Sequence, residues 1–420
     1  MANLKIESSV KRILLISHNF SPELTGIGRY NGEMITWLVN KGYNCTVITT
    51  YPYYPYWKVQ APYKNVWYKK EEVEYKNGNK LIIYRCPSYI PANPTGRKRM
   101  IQDFSYWTSM IWPTMKTILG NKQYDLIVTV APPFHLAFLG LLVKRITGGK
   151  LLYHIQDLQL EAAKELNMIS NVKLFHFLYN LERKVLKHAD FVSSISDGMI
   201  TKIKEKVDKN VISLPNWVDT AIHFQIESRS ELKLKWGFKK DDFVYLYSGG
   251  IGEKQGLEAI ILAAEELKNQ SELRFVICGS GPYKQKLIQM AHEKQLTNVS
   301  FLPLQSEDRL NEFLNMADIH FVIQKAKAGD LVLPSKLTTI LAVGGASIVT
   351  CLPNTSLYDL INNNKIGYTV VPENVDLLKA KIIETRSLNV EEIRSNARDY
   401  ALKNLNIDEI MNGFVDKLLV

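Results

Sequence analysis

Short apolar runs alternate with longer amphipathic stretches along the whole chain. In the first half the runs are rich in β-branched residues, and most of them lead into a polar or glycine-containing loop. Runs of this kind, bounded by turns and separated by helices, are typical of a parallel sheet covered on both faces. The predicted strands of this half are Arg12–Ser17, Asn44–Thr49, Lys80–Arg85, Asp125–Val130, Lys150–Ile155, Asp190–Ile195 and Asn210–Leu214.

The pattern starts again after a polar stretch at Glu227–Lys240. Its predicted strands are Asp242–Ser248, Leu273–Cys278, Val299–Leu302, Asp318–Ile323, Ala346–Thr350 and Gly367–Val371. The predicted helices between them are Leu257–Lys268, Tyr283–Glu293, Ser306–Met316 and Ser335–Val343, followed by two helices at the end of the chain.

This repetition predicts an α/β protein with two doubly wound, Rossmann-like domains that face each other across a cleft. We assign residues 1–215 to the first domain, 216–390 to the second domain, and 391–420 to helices that pack back towards the first domain. Ligands of such folds bind beyond the carboxyl ends of the strands, so the loops that follow the strands should carry the chemistry.

Composition narrows the class of protein. The chain has 420 residues, of which 46% are apolar, and this is enough for two cores. Its four cysteines are scattered without a CxxC pair, which argues against a disulfide framework or a zinc site and favours a reducing cytosol. The polar N-terminal segment does not resemble a signal peptide, and no apolar run approaches the roughly 20 residues of a membrane span.

The formal net charge of +10 is compatible with three kinds of binding partner: nucleic acid, an anionic membrane surface or phosphate-bearing substrates. The alternative is that the charge serves solubility alone. No nucleic-acid-binding module is present, so nucleic acid is not an expected partner.

The loop after the first predicted strand is unusually long, HNFSPELTGIGRY at 18–30. Gly26 and Gly28 allow close approach of the backbone to a ligand, and the helix behind them favours anions. The loop is not the GxGxxG fingerprint of a dinucleotide site, because Arg29 and Tyr30 follow Gly28. A plain strand-to-helix turn is the alternative.

Glycine-rich loops follow two strands of the second half. SGGIGEKQG at 248–256 contains Gly249, Gly250 and Lys254, and a nest of backbone amides with one lysine suits a diphosphate. A flexible turn with a solvated lysine is the alternative. CGSGP at 278–282 contains Gly279 and Gly281, which line a nucleotide or only form a tight turn.

Two further segments carry candidate chemistry. In LPSKLTTILAVGG at 333–345, Ser335 starts a helix and Lys336 lies in its first turn, where the helix dipole disfavours a cation unless an anion binds. After the strand at 150–155, His154 and Asp157 could accept or orient an acceptor hydroxyl, and Glu161 lies close behind. The alternatives are a core histidine and a helix-capping aspartate.

The segment 96–119 combines charge with aromatic residues. Arg97, Lys98 and Arg99 precede a stretch that includes Trp107, and this arrangement suits a membrane interface. An ordinary core helix is the alternative. The aromatic run YPYYPYW at 51–57 either stacks on sugar rings or shapes a proline-rich loop.

Taken in order, these segments resemble glycosyltransferase family 4, and within it the WcaI-type branch of colanic-acid and surface-polysaccharide fucosyltransferases. The resemblance rests on FSPELTGIGRY (20–30), YPYYPYWKV (51–59), YRCPSYIP (84–91), HIQD (154–157), LPNWVD (214–219), GIGEKQGLE (250–258), CGSGP (278–282) and LPSKLTTILAVGG (333–345). It implies the GT-B fold and a retaining, metal-independent glycosyltransferase that needs no cofactor besides its nucleotide-sugar substrate.

The resemblance also implies roles for individual residues. Gly26 and Gly28 would lie against the donor phosphates or sugar, Lys254 would bind the diphosphate, and Asp157 would lie near the acceptor. Ser335 and Lys336 would start the helix that faces the donor. The domain at 1–215 would then be the acceptor side, and the domain at 216–390 would bind the nucleotide sugar.

The chain departs from the family pattern at two places. An arginine common a few residues before the lysine is absent. Thr339 stands where related sequences place the second of two glutamates, with Asp330 as a loose substitute for the first.

The implied partners are a nucleotide sugar, an undecaprenyl-diphosphate-linked saccharide acceptor and the cytoplasmic face of the inner membrane. The donor could be GDP-fucose or a related deoxyhexose, or a UDP-linked N-acetylamino sugar. A non-catalytic nucleotide-sugar-binding protein is the alternative of a different class, because the glutamates are missing. An epimerase or dehydrogenase is excluded by the lack of GxGxxG after the first strand.

Overall fold

The computed structural model describes residues 11–23, 26–120, 123–161, 171–326 and 334–419. The chain divides into two compact units. The first unit contains the chain up to Ile195, Met199–Leu214 and the end from Gly413, and the second contains Ser196–Gly198 and Pro215–Asn412.

The first unit is built on an eight-stranded sheet. Its strands are β1 (Arg12–Ile16), β2 (Asn44–Thr50), β3 (Lys69–Glu74), β4 (Lys80–Cys86), β5 (Leu126–Ala131), β6 (Lys150–Ile155), β7 (Phe191–Ser194) and β8 (Val211–Ser213). They lie in the order β3-β4-β2-β1-β5-β6-β7-β8. β1 pairs in parallel with β2 on one side and with β5 on the other, and its apolar residues Ile13–Ile16 are fully buried.

The helices of the first unit connect these strands. They are α1 (Gly26–Asn40), α2 (Gly96–Leu119), α3 (Leu136–Thr147), α4 (Val172–His188) and α5 (Asp197–Lys206), of which α5 starts in the short piece assigned to the second unit.

The second unit is built on a six-stranded, all-parallel sheet. Its strands are β9 (Phe243–Gly250), β10 (Leu273–Ser280), β11 (Val299–Leu302), β12 (Ile319–Val322), β13 (Ser347–Thr350) and β14 (Tyr368–Val370), in the order β11-β10-β9-β12-β13-β14. The helices are α6 (Arg229–Lys235), α7 (Glu258–Glu266), α8 (Lys284–Glu293), α9 (Glu307–Asn315), α10 (Lys336–Ala342), α11 (Ser356–Asn363), α12 (Val375–Ser387), α13 (Glu391–Asn404) and α14 (Ile407–Leu418), the last of which ends in the first unit.

The strands predicted from the sequence are all present, with ends that shift by one or two residues. One strand was not predicted. β3 has the sequence KKEEVE and pairs antiparallel with β4 at the edge of the first sheet. An edge strand that is mostly exposed needs no apolar face, so a search for apolar runs does not detect it. Charges of this kind also protect a sheet edge from pairing with other chains. The first sheet is therefore parallel except at this edge.

The four cysteines are free and buried: Cys45, Cys86, Cys278 and Cys351.

Candidate active site

The strand order identifies the ligand-binding edge of each sheet. In the first sheet the connections run from β1 towards β2 and then restart on the other side with β5. In the second sheet the same reversal lies between β9 and β12. Open α/β sheets bind their ligands at the carboxyl ends of the strands that flank such a reversal. The loops after β1, β5, β9 and β12 are therefore the candidate site loops, each considered within its own unit.

Lys336 is the most informative residue of the second unit. Its Nζ is buried and has no hydrogen-bond partner among the described residues. It lies 3.4 Å from the centroid of the Tyr247 ring, and a Cβ on Gly249 would lie 2.9 Å from it. Burial holds the pKa of this amine well below its ordinary value. A buried amine with no acceptor is costly unless a ligand supplies one.

The glycine loop after β9 lies beside this amine. Gly249 and Gly250 end the strand, and Gly249 has φ 146°, in the region that favours glycine. Lys254 follows in a short 3₁₀ turn, Glu253–Gln255, and is exposed. Its carbonyl accepts a hydrogen bond from the backbone of Lys325 at 3.1 Å, which ties the loop after β9 to the one after β12.

Gly279 and Gly281 are explained by packing within the second sheet. A Cβ on Gly279 would lie 1.9 Å from the carbonyl oxygen of Gly249, and one on Gly281 would lie 2.1 Å from that of Ile251. Both glycines therefore let the end of β10 approach the glycine loop after β9. They shape the loop whether or not they also contact a ligand.

The start of α10 differs in detail from the prediction. Ser335 occupies the N-cap position but its side chain makes no capping hydrogen bond and is exposed. Thr339 is buried in the helix. Asp330 lies outside the described residues.

The loop after β1 is held by many hydrogen bonds in the first unit. Glu23 is 2% exposed, and its Oε1 accepts hydrogen bonds from the backbone N–H groups of Tyr53 and Tyr54, both at 2.9 Å. Its Oε2 accepts from Asn19 Nδ2 at 2.8 Å. Burial raises the pKa of Glu23 to about 7 against the opposing effect of these hydrogen bonds.

Gly26 and Gly28 start α1 on the far side of this loop. Gly26 has φ 62°, and a Cβ there would lie 3.8 Å from the ring of Tyr54. A Cβ on Gly28 would lie only 2.5 Å from Glu23 Oε2. The α-carbon of Gly28 thus faces the carboxyl group of Glu23.

His154 and Asp157 both come from β6 and the loop behind it. His154 is buried, and its Nδ1 lies 2.9 Å from Ser193 Oγ on the neighbouring strand. Burial lowers its pKa to about 4. These contacts favour the interpretation of His154 as a core residue with a satisfied ring. Asp157 is partly buried just beyond the end of β6.

Two family models match the chain, one in each unit. The model described as "Glycosyl transferases group 1" matches residues 228–404, and that described as "Glycosyl transferase 4-like domain" matches residues 25–217. WcaI of Escherichia coli (strain K12), whose name assigns it to colanic acid biosynthesis as a glycosyl transferase, is 37% identical over 97% of this chain and 99% of WcaI. The chain belongs to the glycosyltransferase family that includes WcaI. It is a transferase enzyme, as the resemblance implied.

Solved structures show the same fold over nearly the whole chain. Sucrose-phosphate synthase from Thermosynechococcus elongatus has a TM-score of 0.76 at 14% identity and covers 97% of this chain and 98% of its own. HepE of Anabaena in complex with UDP and glucose has a TM-score of 0.69 at 15% identity, with 97% and 99% covered. The predicted α/β, GT-B fold class is confirmed.

Helix α2 of this glycosyltransferase has an apolar outer face. Met100, Phe104 and Trp112 are each more than 60% exposed, whereas Gln102 and Thr114 face inwards and are buried. The inner face also contains the fully buried apolar residues Tyr106 and Met110, so α2 carries apolar side chains on both faces. Further exposed apolar residues on the helix are Ile101, Ile111 and Leu119.

The basic residues of α2 lie at its N-terminal end. Arg97, Lys98 and Arg99 are exposed, and the Arg99 guanidinium lies 5.1 Å from the ring centroid of Trp57. Trp107 differs from the prediction of an interface residue, because it is half-buried and its Nε1 donates to the carbonyl of His135 at 3.2 Å.

The described part of the chain contains no helix long and apolar enough to cross a membrane. It also contains no group of three or more His, Cys, Asp or Glu side chains placed to hold a metal ion.

Sequence reasoning missed two site residues. Tyr247, two positions before Gly249, supplies the ring under the Lys336 amine. Its position at the ligand end of a predicted strand was the available signal. Glu23 was noticed only as part of a long loop, because its partners are the backbone amides of Tyr53 and Tyr54, 30 and 31 positions away.

Proposed function

We propose that this protein is a retaining glycosyltransferase that moves L-fucose or a related deoxyhexose from a nucleotide-diphosphate donor to a lipid-linked or glycan acceptor in surface-polysaccharide biosynthesis. The end-to-end relationship to WcaI carries this proposal. The structural observation that supports it most directly is the buried Lys336 amine, which has no acceptor among the described residues.

Lys336 and Lys254 are the proposed cations for the donor diphosphate. Lys336 is the first residue of α10, the helix that follows β12, and Lys254 lies in the turn after β9; these two strands flank the reversal of the second sheet. HepE, which shares the fold, was solved with UDP and glucose, and this supports a nucleotide donor in the present chain. The amides of Gly249 and Gly250 add hydrogen-bond donors at the same edge.

The chemistry explains why cations belong there. As the bond between the sugar and the diphosphate breaks, negative charge grows on the leaving phosphate, and fixed cations in a dry site stabilise it. In the family's account the acceptor hydroxyl attacks the same face that the phosphate leaves. A new glycosidic C–O bond forms, and the hydroxyl proton passes to the leaving phosphate. Asp157 is the residue proposed to orient that hydroxyl. No step of this scheme uses a metal.

We also propose that α2 places the enzyme on the cytoplasmic face of the inner membrane, where a lipid-linked acceptor such as an undecaprenyl-diphosphate saccharide is found. The exposed apolar face of α2 beside three basic residues fits an anionic lipid surface. Two loops beside the helix support this. The backbone N–H of Tyr89 donates to Ser105 Oγ at 2.6 Å, and the Tyr68 hydroxyl donates to the carbonyl of Ser109 at 2.9 Å.

These loops add exposed apolar side chains next to the helix. Trp67 is 72% exposed and Tyr89 is 42% exposed. The proposed membrane surface therefore consists of the outer face of α2 and the loops that carry these two residues.

A calorimetric donor screen tests the proposal. GDP-fucose, GDP, UDP-N-acetylamino sugars and UDP are titrated into the protein in buffer with EDTA, which also tests the expectation that no metal is needed. We expect GDP-fucose to bind, and Lys254→Ala to weaken that binding by about tenfold to a hundredfold, as for the loss of one charged hydrogen bond. Lys268→Ala is the matched control, because Lys268 is exposed on the same unit at the end of α7.

Preferential binding of a UDP-linked N-acetylamino sugar would replace fucose in the proposal with that sugar. If no nucleotide sugar binds, or if Lys254→Ala and Lys268→Ala behave alike, the assignment of the diphosphate site is wrong.

A further inference from the structure

The carboxyl group of Glu23 organises the ligand edge of the first sheet. It lies at the carboxyl end of β1, one of the two strands that flank the reversal of strand order. It joins three pieces of chain: its own loop, the segment after β2 that contains Tyr53 and Tyr54, and the start of α1 at Gly28.

Two consecutive backbone amides point at a single oxygen of this carboxyl group. Tyr53 is 3% exposed, so its N–H would have no water to bond if Glu23 were absent. A buried amide without an acceptor is strongly disfavoured, and the segment would have to turn away from the loop to solvate it. The position of Tyr54, whose ring lies against Gly26, therefore depends on Glu23.

Other side chains hold His18, Asn19 and Ser21 of this loop. The hydroxyl groups of Thr49 and Thr50 donate to the carbonyl of His18, at 3.1 and 2.8 Å. Asn31 Nδ2 donates to the carbonyl of Asn19 at 2.9 Å, and an Arg85 Nη2 donates to that of Ser21 at 2.7 Å. Among these contacts, only Glu23 connects the loop to the backbone of the aromatic segment.

We propose that Glu23 is a positioning residue for glycosyl transfer, which holds Gly26 and the Tyr53–Trp57 segment together as one edge for the sugar substrate. This inference rests on the function proposed above. Tyr54 and Trp57 present partly exposed rings at this edge, with centroids 6.5 Å apart. Glu23 is too buried to contact a substrate itself, so it acts through the backbone that it holds.

The same geometry reassigns Gly28. Its lack of a side chain leaves room for the carboxyl group of Glu23, since a Cβ would lie 2.5 Å from Oε2 and 2.7 Å from the Cβ of Glu23. Gly28→Ala should therefore displace Glu23 and have the same effect as its removal. In a protein that already carries Glu23→Ala, the carboxyl group is gone and only the 2.7 Å contact with the Cβ of residue 23 remains, so Gly28→Ala should add less than it costs in the wild type.

This dependence gives a double-mutant cycle. The proteins are wild type, Glu23→Ala, Gly28→Ala, the double variant, and Glu23→Gln. Hydrogen exchange at the Tyr53 and Tyr54 amides reports the anchoring without needing activity. Release of nucleoside diphosphate from the donor that the wild type uses, in the presence of a bacterial lipid extract, reports turnover.

We expect Glu23→Ala and Gly28→Ala each to speed exchange at both amides and to lower turnover by about tenfold to a hundredfold, as for the loss of one or two hydrogen bonds to a charged group. The effect of the double variant should be smaller than the sum of the two single effects, because only the Cβ contact at residue 23 remains to be disturbed. Glu23→Gln should keep the amides protected and retain most turnover, because its side-chain oxygen can accept from both and Asn19 can reverse its amide.

Unchanged exchange and turnover in Glu23→Ala would overturn the inference, and so would additive effects in the cycle. Protected amides with lost turnover in Glu23→Gln would also overturn it, because the charge and not the anchoring would then matter. A wild type that uses no donor in the assay would overturn the proposed function, and the positioning role with it, whatever the exchange data show.

Discussion

At the scale of single residues, the proposed role of Lys336 implies a cost in stability. A buried amine that has no acceptor among the described residues is destabilising, and its contact with the Tyr247 ring offsets only part of this. Lys336→Met keeps the length of the side chain and removes the amine. We expect this variant to melt at a higher temperature and to bind the donor about tenfold to a hundredfold more weakly. Thermal unfolding measures the melting temperature, and calorimetry measures the affinity for the donor. An unchanged affinity for the donor would mean that Lys336 is not part of the donor site.

His154 gives a second prediction at this scale, because its folded pKa of about 4 lies below its ordinary value of 6.5. The folded state binds fewer protons than the unfolded state between these values, so stability is full above pH 6.5 and falls as the pH decreases. The free energy of unfolding of the wild type should fall between pH 7 and pH 5 because His154 takes up a proton on unfolding. In His154→Gln this decrease should be smaller by about 2 kcal/mol, as measured by urea unfolding at both pH values.

Turnover of His154→Gln separates the two interpretations of this residue. Glutamine can still bond to Ser193, so a core histidine predicts activity within about threefold of wild type. A collapse of turnover with an intact fold would instead return His154 to the catalytic residues.

Single residues also show where prediction from sequence ends. Lys254 and Gly249 were predicted as site residues because they follow a predicted strand at the ligand edge, and Lys336 because it lies in the first turn of a predicted helix. The role of Glu23 could not be found in this way, since it depends on backbone amides about thirty positions along the chain, and backbone amides leave no trace in a sequence.

At the scale of elements, helix α2 carries the membrane proposal. Each basic residue near an anionic surface contributes about 1 kcal/mol, so replacing Arg97, Lys98 and Arg99 with Gln should weaken binding to anionic vesicles about a hundredfold. Co-sedimentation with phosphatidylglycerol-rich vesicles measures this. The matched control replaces Lys239, Lys268 and Lys403, which are exposed in the second unit, with Gln.

The apolar face can be tested with the charges intact. Phe104→Ser with Trp112→Ser should weaken vesicle binding as well, because both side chains are exposed on the outer face. Equal loss in the basic and control triple variants would mean that net charge alone attracts the protein to lipid, and α2 would lose its assigned role.

Elements differ in how far the sequence predicts them. Central strands such as β1 and β9 are buried on both faces, so they appear in the sequence as apolar runs. The loops that follow them are then predicted to lie at the ligand-binding edge of the sheet. Edge strand β3 did not follow from the pattern, whereas α2 was predicted as a candidate membrane interface from its basic and aromatic residues. The exposure of an edge strand depends on which neighbouring elements of the fold cover it, and a local sequence pattern does not contain that information.

At the scale of the whole molecule, the relationship to WcaI and the two matching family models establish a glycosyltransferase, and the identity of its sugar and acceptor is the proposed part. The central claim is that a sugar moves from a nucleotide-diphosphate donor to a lipid-linked acceptor. A transfer assay tests this most directly: radiolabelled GDP-fucose is incubated with the protein and a lipid extract containing undecaprenyl-diphosphate saccharides. We expect radiolabel in the lipid phase with the wild type and none with Lys254→Ala. Label that stays in the aqueous phase for GDP-fucose and every other donor tried, with a folded wild type, would contradict it.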